Sequence, residues 1–505
     1  MLMNRALGFG LLVWCAQAAA LEIAVDGSKP RQVMHGFGTC MKNWGDPAKD
    51  PVSKWTMDPK ALALYLEDMG FNMARIPINR WVIEGENPYG GPVRVTEEIK
   101  KDPTKLTYEA FGWEGQGGRV KEIDRAAVWA QALKKLNPEL KVFGSVWSPP
   151  HWMKKADAKR KLEWSKFGAS SCGGYLDPQY YTHYAHYLAA WSVAMEKKFE
   201  TPLYAVSIQN ELHFFEPYDS CIYVPHEFAA VVKEVGRVFK AQGIATQAMG
   251  PEDMTKFPDR LMSFVRPVLQ DPEANAALPI ICSHGYSDGI DSNLQKEDAF
   301  KLWEMIKDTG KEYWMTETGG GIGSWKDGEV IADSGKNKGQ KTKIAGAFNG
   351  LATMLHNAIV YGHASVWTTW QFLSAGDDCR HGLVLCTMDE LAPTKKYYIQ
   401  KQYAKFIPAG ARRVEAGPDG KEQVLVSAYV HEGRKTLTVV LQNHGAAEQT
   451  VALALKDVPA VAKLAVYVTS EQKNCEAGAE VTVSGGKASV TVPAQSVVTL
   501  TGKAE

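Results

Sequence analysis

At 505 residues the chain exceeds the roughly 100–200 residues of a single domain, so several domains, or one large barrel with a smaller module, are expected. Its composition, 45% hydrophobic and 23% charged, is that of an ordinary globular protein. Lys and Arg total 57, as do Asp and Glu; this zero balance provides no basic stripe for a phosphate backbone and speaks against nucleic acid as a partner.

The first residues, MLMNRALGFGLLVWCAQAAA, place one Arg before an apolar stretch from Ala6 to Cys15 and end on Ala18-Ala19-Ala20. That is the layout of a secretory signal peptide over 1–20, with cleavage expected near Ala20 and a periplasmic or extracellular destination. A buried first helix is the plainer alternative. The run falls short of the ~20 apolar residues that span a bilayer, and no other segment is long enough, so no integral membrane segment is expected. Loss of Cys15 would leave seven of the 8 cysteines, an odd number. Cys379–Cys386 and Cys172–Cys221 are the candidate bridges in an oxidising compartment. There is no CxxC, HExxH or Gly-rich phosphate loop, so neither a metal nor a cofactor is expected. Oligomeric state stays open, with a monomer as the working expectation.

LEIAVDG (21–27) alternates apolar and polar residues like a half-buried strand. Short apolar runs then alternate with helical stretches: HGFGTC (35–40), FNMARIPI (71–78), KVFGSVWS (141–148), YAVSIQ (204–209), ATQAMG (245–250), PIICSHGY (279–286), EYWMTE (312–317) and ASVWTTWQF (364–372). Amphipathic stretches such as PKALALYLEDMG (59–70) and AAVWAQALKKLN (126–137) lie between them. Eight such units read as an α/β fold, a closed (β/α)8 TIM barrel over 36–408; a doubly wound open sheet is the alternative, but no nucleotide fingerprint follows the first run. After Pro408-Ala409-Gly410 the pattern becomes alternating strands and short turns, an attached antiparallel β-sandwich over 409–505. Residues 21–35 are expected to return and join it.

The C-terminal ends of barrel strands form the functional face of this architecture. Polar and aromatic residues collect there: Arg75 after the second run, Trp147 after the third and Asn210-Glu211 after the fourth. His284 and Tyr286 follow the sixth, Glu317 the seventh and Trp370 the eighth. Either Glu alone is equally well a helix cap or an ion-pair partner. Two of them on one rim with Arg, Tyr and Trp match glycosidic-bond cleavage, in which one carboxyl is protonated and the other ionised. On that reading Arg75 and Tyr286 hold Glu317 ionised, while Trp44, Trp147, Trp152 and Trp370 offer flat faces to sugar rings. Each Trp by itself is more often core than platform.

The set HGFGTC, FNMARIPI, SVWSPPHWMK, SIQNEL, SHGY, WMTETGG and VWTTWQF resembles glycoside hydrolase family 30, and 393–416 resembles that family's passage from barrel into sandwich. The resemblance implies Glu211 as acid/base, Glu317 as nucleophile and Asn210 as contact to the sugar 2-hydroxyl. Arg75 and Tyr286 would support the nucleophile, and His284 and Trp147 would line the subsite. Leu212 stands where Pro often follows the Asn-Glu pair. SVWSPPHWMK and Trp44 lean toward endo-acting polysaccharidases on xylan, β-1,6-glucan or β-1,6-galactan. An exo-acting β-glycosidase, glucosylceramidase-like or xylosidase-like, is the enzymatic rival, and a non-catalytic carbohydrate-binding barrel is the reading from another class. Sugar and linkage specificity is expected to reside in two long segments, 85–120 and 319–340.

Overall fold

The computed structural model describes residues 20–41, 46–78, 95–111, 120–164, 171–288, 291–292, 294–331, 339–375 and 381–505. The apolar runs form a closed barrel of parallel strands: Gly36–Cys40, Met73–Ile78, Lys141–Val146, Leu203–Ser207, Gln247–Met254, Ile280–His284, Glu312–Glu317 and Val366–Thr369. Each pairs with its neighbours in chain order, and the eighth closes on the first.

Strand alternation divides the barrel interior into storeys. Met73, Phe143, Ala205, Cys282, Trp314 and Val366 form a fully buried apolar floor. Two residues further along, on the same faces, come Arg75, Ser145, Ser207, His284, Thr316 and Thr368, all 0% exposed. The polar storey therefore sits directly above a dry one, at the C-terminal end of the barrel. Helices cover the outside. In Pro225–Gln242, Phe228, Val231, Val232, Val235 and Val238 form one buried stripe; Pro225 opens the helix, and Gly243 ends it at φ 67.

Two strands differ from expectation. The fifth does not stop at Gly250 but continues through Pro251-Glu252-Asp253 to Met254, with a register shift against the sixth. Gly-Pro followed by two acids reads locally as a turn, yet the sixth strand pairs with it and it is buried. The eighth ends at Thr369, because the Trp370 N–H turns to the Thr318 carbonyl (2.8 Å) and Gln371–Ala375 pairs instead with Gly382–Cys386.

The second core belongs to a ten-stranded sheet that folds back so that Lys487–Val492 lies against Thr436–Asn443 and Ser496–Lys503. Leu21–Val33 lies within it, antiparallel to Arg412–Gly417 and parallel to Gln449–Lys456, the one parallel pairing in this otherwise antiparallel sheet among the described residues. Leu21, Ile23 and Val25 point inward to Val426, Leu437, Leu453 and Leu500. Helix Lys395–Ala404 bridges the two cores. Gln402 donates to Thr469 Oγ1 (2.8 Å), Gln442 to the Ala352 carbonyl (2.8 Å), and Tyr403, Tyr429, Val440 and Val497 join the barrel's core cluster.

Cys221 is a free buried thiol, so the expected Cys172–Cys221 bridge does not form. Cys386 is free as well, and Cys379 lies outside the described residues, as do residues 1–19, where a leader is expected.

Candidate active site

Arg75 organises the polar storey. Its guanidinium donates to Glu317 Oε2, to Asn210 Oδ1 at 2.8 Å, to Ser145 Oγ at 2.9 Å and to Glu252 Oε1 at 3.3 Å, and it is wholly buried. One face of Trp147 covers it, with 4.9 Å from guanidinium carbon to ring centroid. Four acceptors from four strands or strand ends use the planar donor fork almost completely, a task that Lys could not take over.

Glu317, at the end of the seventh strand, also accepts from Tyr286 Oη at 2.9 Å. Across from it stands Glu211, whose Oε1 accepts from His284 Nδ1 at 2.9 Å. Glu211 holds a left-handed backbone (φ 44), a conformation that costs a non-glycine residue about 1–3 kcal/mol and must be imposed by its surroundings. The constraints are visible on both sides. Asn210 N–H donates to the Val146 carbonyl (2.7 Å), while His213 pairs with Asp253 (2.7 Å), which Arg260 also grips.

The charges are tightly interlocked. Burial raises the cost of ionising Glu252, but Arg75 and His284 outweigh it and bring its pKa down to about 2. Burial likewise disfavours charge on His284, yet Glu317, Glu211 and Glu252 around it push its pKa up to about 10, so it is an imidazolium at neutral pH. Burial drives Glu317 upward; His284 and Arg75 pull it back, Glu211 pushes it up again, and the net direction is upward. Arg75 does lower the Glu317 pKa, as expected, but the guanidinium offsets only part of the cost of burial. His284 is the cation beside Glu211. One ligand atom from each of Glu211, His284 and Glu317 lies within 4.8 Å of the others, a spacing that would also suit a metal ion. The Arg75 guanidinium and the charged His284 already supply the positive charge there, which favours proton chemistry at these atoms.

Arg75, Asn210, Glu211, His284, Tyr286 and Glu317 thus form one connected cluster. Trp147 and Trp370 lean together above it with ring centroids 5.7 Å apart, and Trp370 is the more exposed of the two. Trp152 instead packs edge-on against Tyr180 and His183 and lies half-buried against the core. Trp44 lies outside the described residues, as do 85–94 and 112–119 in one long segment and 332–338 in the other. Sequence reasoning missed Glu252, Ser145 and Glu216. The signal for Glu252 was an acidic pair directly after an apolar run, as at Asn210-Glu211; reading the strand as ended at Gly250 hid it. Ser145 and Glu216 carried no signal of their own.

No protein-family model matches the chain. The glucuronoxylanase XynC of Bacillus subtilis is 24% identical over 365 residues, which is 71% of this chain and 73% of that enzyme. An endo-1,6-β-D-glucanase of Neurospora crassa is 24% identical over 328 residues, covering 61% of this chain and 57% of that protein. Among solved structures, a GH30 endoxylanase from Clostridium papyrosolvens superposes with a TM-score of 0.66 at 23% identity, spanning 96% of this chain and all of that one, a likeness of fold. Similar in sequence to enzymes named as a glucuronoxylanase and an endo-1,6-β-D-glucanase, and in fold to a GH30 endoxylanase, the chain is a glycoside hydrolase family 30-like protein.

Proposed function

We propose that the protein is a retaining endo-glycanase acting on a β-linked polysaccharide, with Glu317 as nucleophile and Glu211 as acid/base. The observation that carries this reading is that an oxygen of the Glu211 carboxyl lies within 4.8 Å of an oxygen of the Glu317 carboxyl. Retaining glycosidases keep their carboxyl groups about 5–5.5 Å apart, whereas inverting ones need about 6.5–9.5 Å to admit a water. Charge balance supports it too. Arg75 and His284 bring two positive charges; Glu252 answers one, and a single further carboxylate balances the other. Double displacement requires one of Glu211 and Glu317 ionised and the other protonated.

Glu317 is the ionised one in this reading, because Arg75 and Tyr286 donate to its two oxygens. It attacks the anomeric carbon while Glu211 passes its proton to the leaving oxygen. Glu211, now a carboxylate beside the His284 imidazolium, takes a proton from water as that water attacks the glycosyl-enzyme. Asn210 contacts the 2-hydroxyl, and Trp147 and Trp370 line the sugar-binding face.

The xylanase and β-1,6-glucanase relatives favour xylan or β-1,6-glucan as substrate; β-1,6-galactan rests on the motif resemblance alone. A panel of these polymers with product analysis is expected to give internal cleavage to mixed oligosaccharides. Sugars released singly from chain ends would replace the endo reading with the exo one, and binding without turnover across the panel would favour a lectin-like barrel.

Export is part of the proposal. No helix among the described residues is long and apolar enough to cross a membrane. N-terminal sequencing of exported material is expected to start near Leu21; an intact Met1 on exported protein would refute cleavage.

A further inference from the structure

Glu216 lies in HFFEPYDS, a stretch that reads as a surface loop, yet its residue is only 1% exposed and its carboxyl faces the site. The Asn210 amide stands between two groups of opposite character. Its Oδ1 accepts from Arg75 at 2.8 Å, and its Nδ2 donates to Glu216 Oε1 at 3.3 Å. Arg75 has donors only, so the amide oxygen must face it; Glu216 supplies the acceptor on the other side. An Asn held at both ends cannot rotate its amide, and its second N–H then points in one direction.

The backbone of the loop around Glu216 is tied down. Glu216 N–H donates to Ser220 Oγ (3.3 Å), Gly173 N–H donates to the same oxygen (2.8 Å), and buried Lys154 donates to the Ser220 carbonyl (2.6 Å).

We propose that Glu216 is a positioning residue: by accepting one N–H of Asn210 it aims the other at the 2-hydroxyl of the sugar beside the cleaved bond. This rests on the glycosidase reading of the site. Burial and the neighbouring Glu211 push the Glu216 carboxyl well above its ordinary range, which disfavours a further negative charge beside Glu211 and Glu317.

The test compares Glu216→Ala and Glu216→Gln with the wild type on 4-nitrophenyl β-xylobioside or β-gentiobioside, whichever the wild type hydrolyses, and on its 2-deoxy counterpart. Loss of one positioned hydrogen bond is expected to lower kcat/KM of Glu216→Ala about 10- to 100-fold on the parent glycoside and less than about threefold on the 2-deoxy one. Glu216→Gln, whose carbonyl still accepts from Asn210, is expected to stay within about threefold of wild type on both. An equal loss on the two substrates, or no loss on the parent, overturns the proposal. A wild type inert toward every glycoside would sink the glycosidase reading instead. The positioning claim is then read from the Asn210 side-chain amide resonances: these should move in Glu216→Ala and hold in Glu216→Gln, and unmoved resonances in Glu216→Ala overturn it.

Discussion

Glu317→Ala is expected to lose turnover by roughly 10^2- to 10^4-fold or more, and Glu211→Ala by a similar factor on substrates with poor leaving groups. The two losses differ in kind, and azide separates them. Without Glu211 the glycosyl-enzyme still forms from an activated aryl glycoside, and azide entering the space left by the acid gives a β-glycosyl azide. Without Glu317 no covalent intermediate forms, azide attacks the substrate directly, and the product is the α-glycosyl azide. Products of swapped configuration would reverse the two roles; inversion by the wild type would defeat the mechanism altogether. Stability is the necessary control. Removing Glu317 takes one acceptor from a guanidinium that is 0% exposed, and breaking a buried ion pair can cost about 3–5 kcal/mol. Glu252 and Asn210 remain bonded to Arg75, so the variant is expected to melt lower but to fold.

Deleting residues 411–505 is expected to give an insoluble or strongly destabilised barrel, measured as loss of soluble yield or a large drop in Tm. Tyr403, Tyr429, Val440 and Val497 are 0–1% exposed where the two cores meet, and Leu21, Ile23 and Val25 would lose the strands on both sides. Each fully buried side chain of this size contributes about 1.5–3 kcal/mol, so even a few of them rival the ~5–15 kcal/mol of a whole domain. The buried His356–Asp419 pair (3.0 Å) would also be broken, with the Asp419 carboxylate gone from the imidazole. A truncated chain that stays soluble with unchanged melting and activity would show that the sheet is an independent appendage.

The barrel was legible in the sequence because its determinant is local. Each strand is buried on both faces and so reads as an uninterrupted apolar run, and each helix carries its own stripe, as in Phe228, Val231, Val232 and Val235. The fifth strand shows the limit of that signal. Glu252 is 0% exposed only because Arg75 and His284, from other strands, compensate its charge, and nothing within Gly-Pro-Glu-Asp announces partners that far along the chain.

The same division runs through the site. Sequence by itself determined where apolar runs end in Arg75, Asn210-Glu211, His284, Tyr286 and Glu317, since a polar group at the end of a buried strand is a local pattern. Only the tertiary structure decided which of these groups touch. Barrel closure brings Arg75 to Glu317, 242 residues away, and Ser145 to Glu252, 107 residues away. It also decided their charges: His284 is raised and Glu252 lowered by neighbours on other strands, and Glu317 is carried upward by burial despite its cation. Strand ends are written residue by residue along the chain. Coulomb and desolvation energies depend on distances across it, and those exist only once the barrel is closed.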